Sequence, residues 1–226
     1  MTPSDVGPAA AGVVAEGQPD ETCRMRAVIA HCWTGTPASA WYPDLSRQMR
    51  QLGIDVQVPA LPDTDDPDPA AWQRALDASI GSSADPLLLV GHSLGALALL
   101  QWLKAAATPV AAAILVAPPI GASALPVISR FLVTEPDVHE ALAWVGHATV
   151  VVSDHDPYLL PSAQAVGDVF AGAGAVRLVV PGRGHFSPAS GLRTLPELDP
   201  LLAGFARRHG HPTNRNRGSD QGVGVI

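Results

Sequence analysis

The sequence predicts an α/β fold: one domain on a six-stranded parallel sheet with helices on both faces. Three observations lead there. Short apolar runs alternate with segments of helical spacing, a Gly-x-Ser-x-Gly motif lies where a run gives way to a helix, and length and composition suit one buried sheet.

The apolar runs are Ala27 to His31, Ile54 to Val58, Leu87 to Val90, Ala111 to Ala117, Thr149 to Ser153 and Val176 to Val180. Rich in Val, Ile and Leu and not alternating with polar residues, they read as strands buried on both faces. Between them, Tyr42 to Leu52, Ala70 to Ile80, Leu94 to Ala107, Ser162 to Ala171 and Leu192 to Arg208 show helical spacing. Such alternation is the pattern of a parallel sheet whose crossovers are helices.

The bulk numbers agree. A chain of 226 residues holds one ordinary α/β domain, and 47% hydrophobic against 15% charged residues describes a chain that buries much of itself. Residues 1–24 and 209–226, with no apolar periodicity, are expected to be mobile tails around a domain over 25–208.

Several function classes are excluded or disfavoured. A net charge of -7 argues against nucleic acid as partner, since phosphate backbones are held by clustered Lys and Arg. Arg207, Arg208, Arg215 and Arg217 near the end read as solvated. Two cysteines, Cys23 and Cys32, make no disulfide framework. Residues 1–24 lack the basic start and apolar stretch of a secretory signal, so the expected location is cytoplasmic. From Ala105 to Ser129 there is no charge, but prolines at 109, 118, 119 and 126 argue for a buried strand rather than a membrane span. No metal site is expected: Asp154, His155 and Asp156 are too close in sequence to converge on one ion, and His209 with His211 lacks further ligands.

The chemistry-bearing motif is Leu88-Leu89-Val90-Gly91-His92-Ser93-Leu94-Gly95-Ala96. A strand entering Gly-x-Ser-x-Gly and then an apolar helix is a nucleophile elbow, in which a tight turn lifts a serine Oγ clear of the sheet. The flanking glycines leave room for neighbouring backbone. A serine hydroxyl needs a base to take its proton, and the base needs an acid to orient it. Reading onward, the fifth run ends in Ser153-Asp154-His155-Asp156-Pro157-Tyr158 and the sixth in Pro181-Gly182-Arg183-Gly184-His185-Phe186. An acid and a histidine therefore follow separate strands at the sheet edge that carries the serine. Gly182-Arg183-Gly184 has no helix after it to receive a phosphate. His92, inside the elbow, reads as a packing and hydrogen-bonding neighbour, not a second base.

An oxyanion formed on attack needs two backbone N–H donors. Leu94 supplies one, and Trp33, in the loop His31-Cys32-Trp33-Thr34-Gly35-Thr36-Pro37, is expected to supply the other. Trp33, Trp41, Tyr158 and Phe186 are candidate substrate-binding walls, although Trp41 and Tyr42 equally suit packing of the first helix.

These motifs resemble those of the small serine hydrolases related to retinoblastoma-binding protein nine, a compact branch of the α/β-hydrolase superfamily. The likeness covers about Arg26 to Arg207. It rests on His31-x-Trp33-x-Gly35-x-Pro37 with Trp41-Tyr42-Pro43-x-Leu45, on Gly91-His92-Ser93-x-Gly95-Ala96, on Ser153-x-x-Asp156-Pro157 and on Gly184-His185-Phe186. Cys32 departs from the glycine usual at its position. The resemblance implies a compact α/β-hydrolase with strand order 2-1-3-4-5-6, no large lid domain, and Pro118 to Gly146 as its only cover. It singles out Asp156, before Pro157, as the acid.

The expectation is thus hydrolysis of a small acyl ester or amide through an acyl-enzyme, with Ser93, Asp156 and His185 as catalytic triad and no cofactor. The same triad serves an acyltransferase or thioesterase, and a hydrolase scaffold can also carry a non-catalytic binding module. The expected partner is a small-molecule acyl substrate, with no nucleic acid and no membrane.

Overall fold

The computed structural model describes residues 24–121 and 125–210, so the tails expected outside the domain, and Cys23, fall almost wholly outside the described residues. The sheet has six strands in the order β2-β1-β3-β4-β5-β6, and every adjacent pair is parallel. The strands are β1 (Arg26–Ala30), β2 (Asp55–Gln57), β3 (Leu87–His92), β4 (Val110–Val116), β5 (Val145–Val152) and β6 (Val176–Val179). Order and direction match the expectation. The order reverses between β1 and β3, which opens a crevice beyond their C-terminal ends.

The period-two geometry of a strand sends its side chains to two cores. On β1 and β3, Val28, Ala30, Leu87 and Leu89 face one core, with residues of α2 (Pro69–Ile80), α3 (Leu94–Ala106), α5 (Glu135–Leu142) and α6 (Ala163–Gly172). Ala27, Ile29, Leu88 and Val90 face the other, with α1 (Tyr42–Gln51) and α7 (Asp199–His209). These central strands are apolar on both faces because both faces are covered.

The edges behave differently. On β2 only Val56 is buried, between exposed Asp55 and Gln57. On β6, Val176 and Val179 are 66% and 44% exposed. Both had been expected to be buried on both faces; an apolar run does not reveal that its strand ends up outermost, where fewer helices cover it. β5 begins at Val145 instead of Thr149, since Val145 and His147 still pair with Val110 and Ala112 of β4.

The last helix also differs. Leu192, Leu195 and Leu198 continue the apolar spacing, but proline lacks the N–H that a helix interior needs. The chain instead makes 3₁₀ turns at Pro188–Ser190 and Pro196–Leu198, and α7 starts at Asp199 with Pro200 in its first turn. Between β4 and β5 lie a single turn, α4 (Pro126–Ser129), and α5. Helix α5 is announced by Thr134-Glu135-Pro136-Asp137: the Asp137 carboxylate reaches back to accept from the Thr134 N–H at 2.7 Å. Its Val138, Ala141 and Leu142 join the core beside α3 and α6, so much of the expected cover is part of the helical layer. Among the described residues no helix is long and apolar enough to cross a membrane.

Candidate active site

The elbow owes its shape to two close approaches. A Cβ on Gly91 would lie 2.5 Å from the Ala96 Cα, and one on Gly95 would lie 2.3 Å from the Ala30 carbonyl oxygen. Both are far inside van der Waals contact, so only glycine lets α3 start directly off β3 and pass over β1. Ser93, at the junction, has φ 53° and ψ -119°. Such a backbone is costly for a residue with a Cβ, about 1–3 kcal/mol, and persists because its surroundings hold it. The Ser93 N–H donates to the Val116 carbonyl at 2.9 Å, tying the turn to β4.

His185 arrives from the loop after β6 and Asp156 from the loop after β5. The Ser93 Oγ lies 2.7 Å from His185 Nε2, and His185 Nδ1 lies 2.8 and 2.9 Å from the two oxygens of Asp156. Asp156 also accepts the Tyr158 N–H at 2.9 Å, and its side chain is fully buried. The unbroken line from carboxylate to serine joins the three residues the motifs singled out.

Asp154, the neighbouring acid, turns elsewhere. It accepts the Gly182 N–H at 2.7 Å and sits beside His155 at 3.1 Å. The Gly182 N–H is the first cause of its lowered carboxyl pKa, followed by His155. The Ser153 Oγ accepts the Arg183 N–H at 3.0 Å. Hence Ser153 and Asp154 fasten the loop that carries His185, while Asp156 faces the imidazole.

The loop expected to carry the Trp33 oxyanion donor follows β1. Gly35 N–H donates to the Cys32 carbonyl and Thr34 N–H to the Thr64 carbonyl, each at 3.0 Å. Leu94 is the first residue of α3, and the opening N–H groups of a helix have no acceptor within it. Cys32 is a buried free thiol. Burial is the main cause that pushes its pKa up, with the Tyr42 hydroxyl pulling the other way. Among the described residues no cluster of three or more His, Cys, Asp or Glu side chains is arranged to hold a metal ion.

Ser93 and His185 open into a cleft of about 260 Å³. Trp33, Leu125, Tyr158 and Pro188 give it apolar walls, and Thr34, Ser39 and Ser187 contribute hydroxyls. Trp33 and Tyr158 were expected there. Trp41 and Phe186 are not in the lining: both are fully buried in the core under α1, and the Trp41 indole N–H donates to the Phe186 carbonyl at 3.1 Å. Their motif neighbours pointed to the site, but their side chains point to the far side of the loop. Thr34, Ser39, Leu125, Ser187 and Pro188 give no such signal in the sequence, because isolated loop residues show no periodicity.

Comparison with known proteins agrees with the architecture. The chain resembles the ydeN gene product of B. subtilis at TM-score 0.67 and 20% identity, over 80% of this chain and 98% of that one. It also resembles a putative yden-like hydrolase from Pectobacterium atrosepticum at TM-score 0.61 and 20% identity, over 82% and 92%. Carboxylesterase CesB (YbfK) from Bacillus subtilis follows at TM-score 0.57 and 14% identity, over 83% and 84%. These likenesses establish an α/β-hydrolase fold. No curated protein sequence matches the chain. The family model described as serine hydrolase matches residues 27–204, most of the chain, and this protein therefore belongs to the serine hydrolase family.

Proposed function

We propose that the protein hydrolyses a small, uncharged acyl ester or amide through an acyl-enzyme on Ser93. The observation that carries this reading is the Ser93–His185–Asp156 hydrogen-bond line opening into the cleft. As the Ser93 Oγ attacks the substrate carbonyl carbon, His185 Nε2 takes its proton, and Asp156 holds Nδ1–H and stabilises the imidazolium. The carbonyl oxygen becomes an oxyanion facing the N–H groups of Trp33 and Leu94, the latter backed by the positive end of α3. On collapse, His185 returns the proton to the leaving alcohol or amine. Water then enters, loses a proton to His185 and attacks the acyl carbon; as the acid leaves, His185 returns the proton to the Ser93 Oγ.

An uncharged substrate is favoured because the described lining includes no Lys, Arg, Asp or Glu to pair with a charge. Trp33 and Tyr158 suit contact with its apolar part. The chemistry calls for no cofactor. Within the family, the motifs favour the branch related to retinoblastoma-binding protein nine. Transfer of the acyl group to an amine, alcohol or thiol uses the same first half-reaction.

The test is a turnover screen of short- and long-chain esters, thioesters and aminoacyl amides, with fluorophosphonate labelling, on wild type and Ser93→Ala. Turnover and labelling at Ser93, both lost in the alanine variant, are expected. Equal turnover in Ser93→Ala removes the nucleophile assignment, and no turnover or labelling of the folded wild type favours a binding module.

A further inference from the structure

Beneath the site lies a set of buried polar groups to which the proposed chemistry assigns no part. The Cys32 N–H lies 3.1 Å from the Tyr42 hydroxyl oxygen. That hydroxyl lies 2.6 Å from His92 Nδ1, and His92 Nε2 lies 2.8 Å from the His185 carbonyl oxygen. Tyr42 and His92 are completely buried.

The ends of this chain dictate its direction. A carbonyl oxygen can only accept, so His92 Nε2 carries the proton. His92 is neutral at ordinary pH, because burial first and the neighbouring His185 second push its pKa down to about 3. Its Nδ1 is therefore a bare acceptor, and the Tyr42 O–H must donate to it. At the other end a backbone N–H can only donate, and Tyr42 receives it. With His92 neutral, the three hydrogens run one way from the loop before Trp33 to the carbonyl of His185, and the Cys32 thiol is a further neighbour of the Tyr42 hydroxyl.

Both ends matter for catalysis as proposed above. Cys32 immediately precedes Trp33, whose N–H is to face the oxyanion. His185 stands between Gly184 and Phe186, whose φ values are 55° and 53°. The Phe186 value is unusual for a bulky residue and needs outside support. Two buried donors from beneath supply it: His92 on the His185 carbonyl and Trp41 on the Phe186 carbonyl.

We propose that Tyr42 and His92 are positioning residues, which hold the oxyanion loop and the base loop in one register through a directed hydrogen-bond relay from the Cys32 N–H to the His185 carbonyl. The inference rests on the assignment of Ser93, His185 and the Trp33 N–H to acyl transfer. Neither Tyr42 nor His92 touches the substrate. Their effect falls on kcat, because a displaced oxyanion donor or base is felt in the transition state more than in ground-state binding.

The test compares Tyr42→Phe, His92→Gln, His92→Leu and the Tyr42→Phe/His92→Gln double variant on the best ester of the screen, with Ser93→Ala beside them and thermal denaturation of each. Tyr42→Phe removes one oxygen atom and is expected to lower kcat about 10- to 100-fold, with KM nearly unchanged. His92→Gln keeps an N–H for the His185 carbonyl and should retain more kcat than His92→Leu. The double variant should be little worse than the poorer single variant, because both cut one relay. Wild-type kcat in Tyr42→Phe, a loss carried by KM, full additivity, or a kcat that falls only with the folded fraction overturns the proposal. So does failure of Tyr42→Phe to fold, which would make the pair a core element. Should Ser93→Ala keep turnover, the underlying assignment fails instead; a dead Ser93→Ala beside an unimpaired Tyr42→Phe sinks the relay alone.

Discussion

The two halves of the site are held by different physics. Ser93 sits at the centre of the sheet, between β3 and α3, where Gly91 and Gly95 are in backbone-to-backbone contact and where every side chain from Leu94 to Leu100 is buried. His185 and Asp156 sit on loops after β6 and β5, towards one edge of the sheet, and side-chain hydrogen bonds fasten the histidine loop: Asp154 to Gly182, Ser153 to Arg183, His92 to His185 and Trp41 to Phe186. Arg183 adds an ion pair with Glu197. Ser93 is positioned by excluded volume, which yields little to single polar changes. His185 is positioned by a set of specific bonds, each of which can be cut alone.

The largest effects should test this contrast directly. Ser93→Ala is expected to lose on the order of 10⁴-fold or more in ester turnover while circular dichroism and thermal midpoint stay close to wild type. Gly95→Ala should lose turnover by a different route. Its methyl would enter the Ala30 carbonyl at 2.3 Å, so urea unfolding should report destabilisation on the order of 3 kcal/mol. A Gly95→Ala variant of normal stability and activity would break the excluded-volume account of the central half.

On the outer half, the two neighbouring acids should separate. Asp156→Asn, next to His185 Nδ1 at 2.8 Å, is expected to lower kcat up to about 10⁴-fold. Asp154→Asn, which keeps an oxygen able to accept the Gly182 N–H, should cost less than about tenfold. Equal losses would mean that fastening the loop matters as much as orienting the imidazole.

Cys32 probes the loop between the halves. Cys32→Ala should keep most activity, while Cys32→Leu, at a position where the residue is 5% exposed, should lose about 10²-fold in kcat as the Trp33 N–H swings away. Mass spectrometry after substrate turnover should find the acyl group on Ser93; an adduct on Cys32 would transfer the nucleophile role.

A further prediction concerns acid stability. His92 titrates at about 3 in the folded chain against an ordinary 6.5. Its folded pKa is lowered, so the unfolded chain takes up the proton first. The stability linked to a neutral His92 is complete above about pH 6.5 and is lost as pH falls towards 3, by about 1.4 kcal/mol per pH unit once well below 6.5. The thermal midpoint of His92→Gln should therefore fall less between pH 6.5 and pH 4.5 than that of wild type. Parallel curves would mean that His92 is not held neutral.

How much was legible follows the same division. The elbow is written in adjacent residues, because the turn from Gly91 to Gly95 and the approach of Gly91 to Ala96 are local, while the approach of Gly95 to Ala30 on β1 is the one long-range part of it. The central strands were legible as well, since burial on both faces leaves an unbroken apolar run. The choice of Asp156 over Asp154 came from a resemblance, as two acids on one turn give no signal of which faces a distant histidine. The exposure of Val176 and Val179, the burial of Trp41 and Phe186, and the bonds of Tyr42 and His92 were not legible. Each depends on which face, edge or loop residues far apart in sequence come to share.

By itself the sequence determined an alternating α/β chain, its strand-rich centre and a serine at a glycine-flanked turn, because periodicity and local sterics act over a few residues. Tertiary structure alone decided how far the edge strands would be exposed, which aromatic rings would line the cleft and which polar groups would meet beneath it. Those outcomes depend on closing long loops into one packing arrangement, and the identity of a residue says nothing of its partner until that closure has occurred.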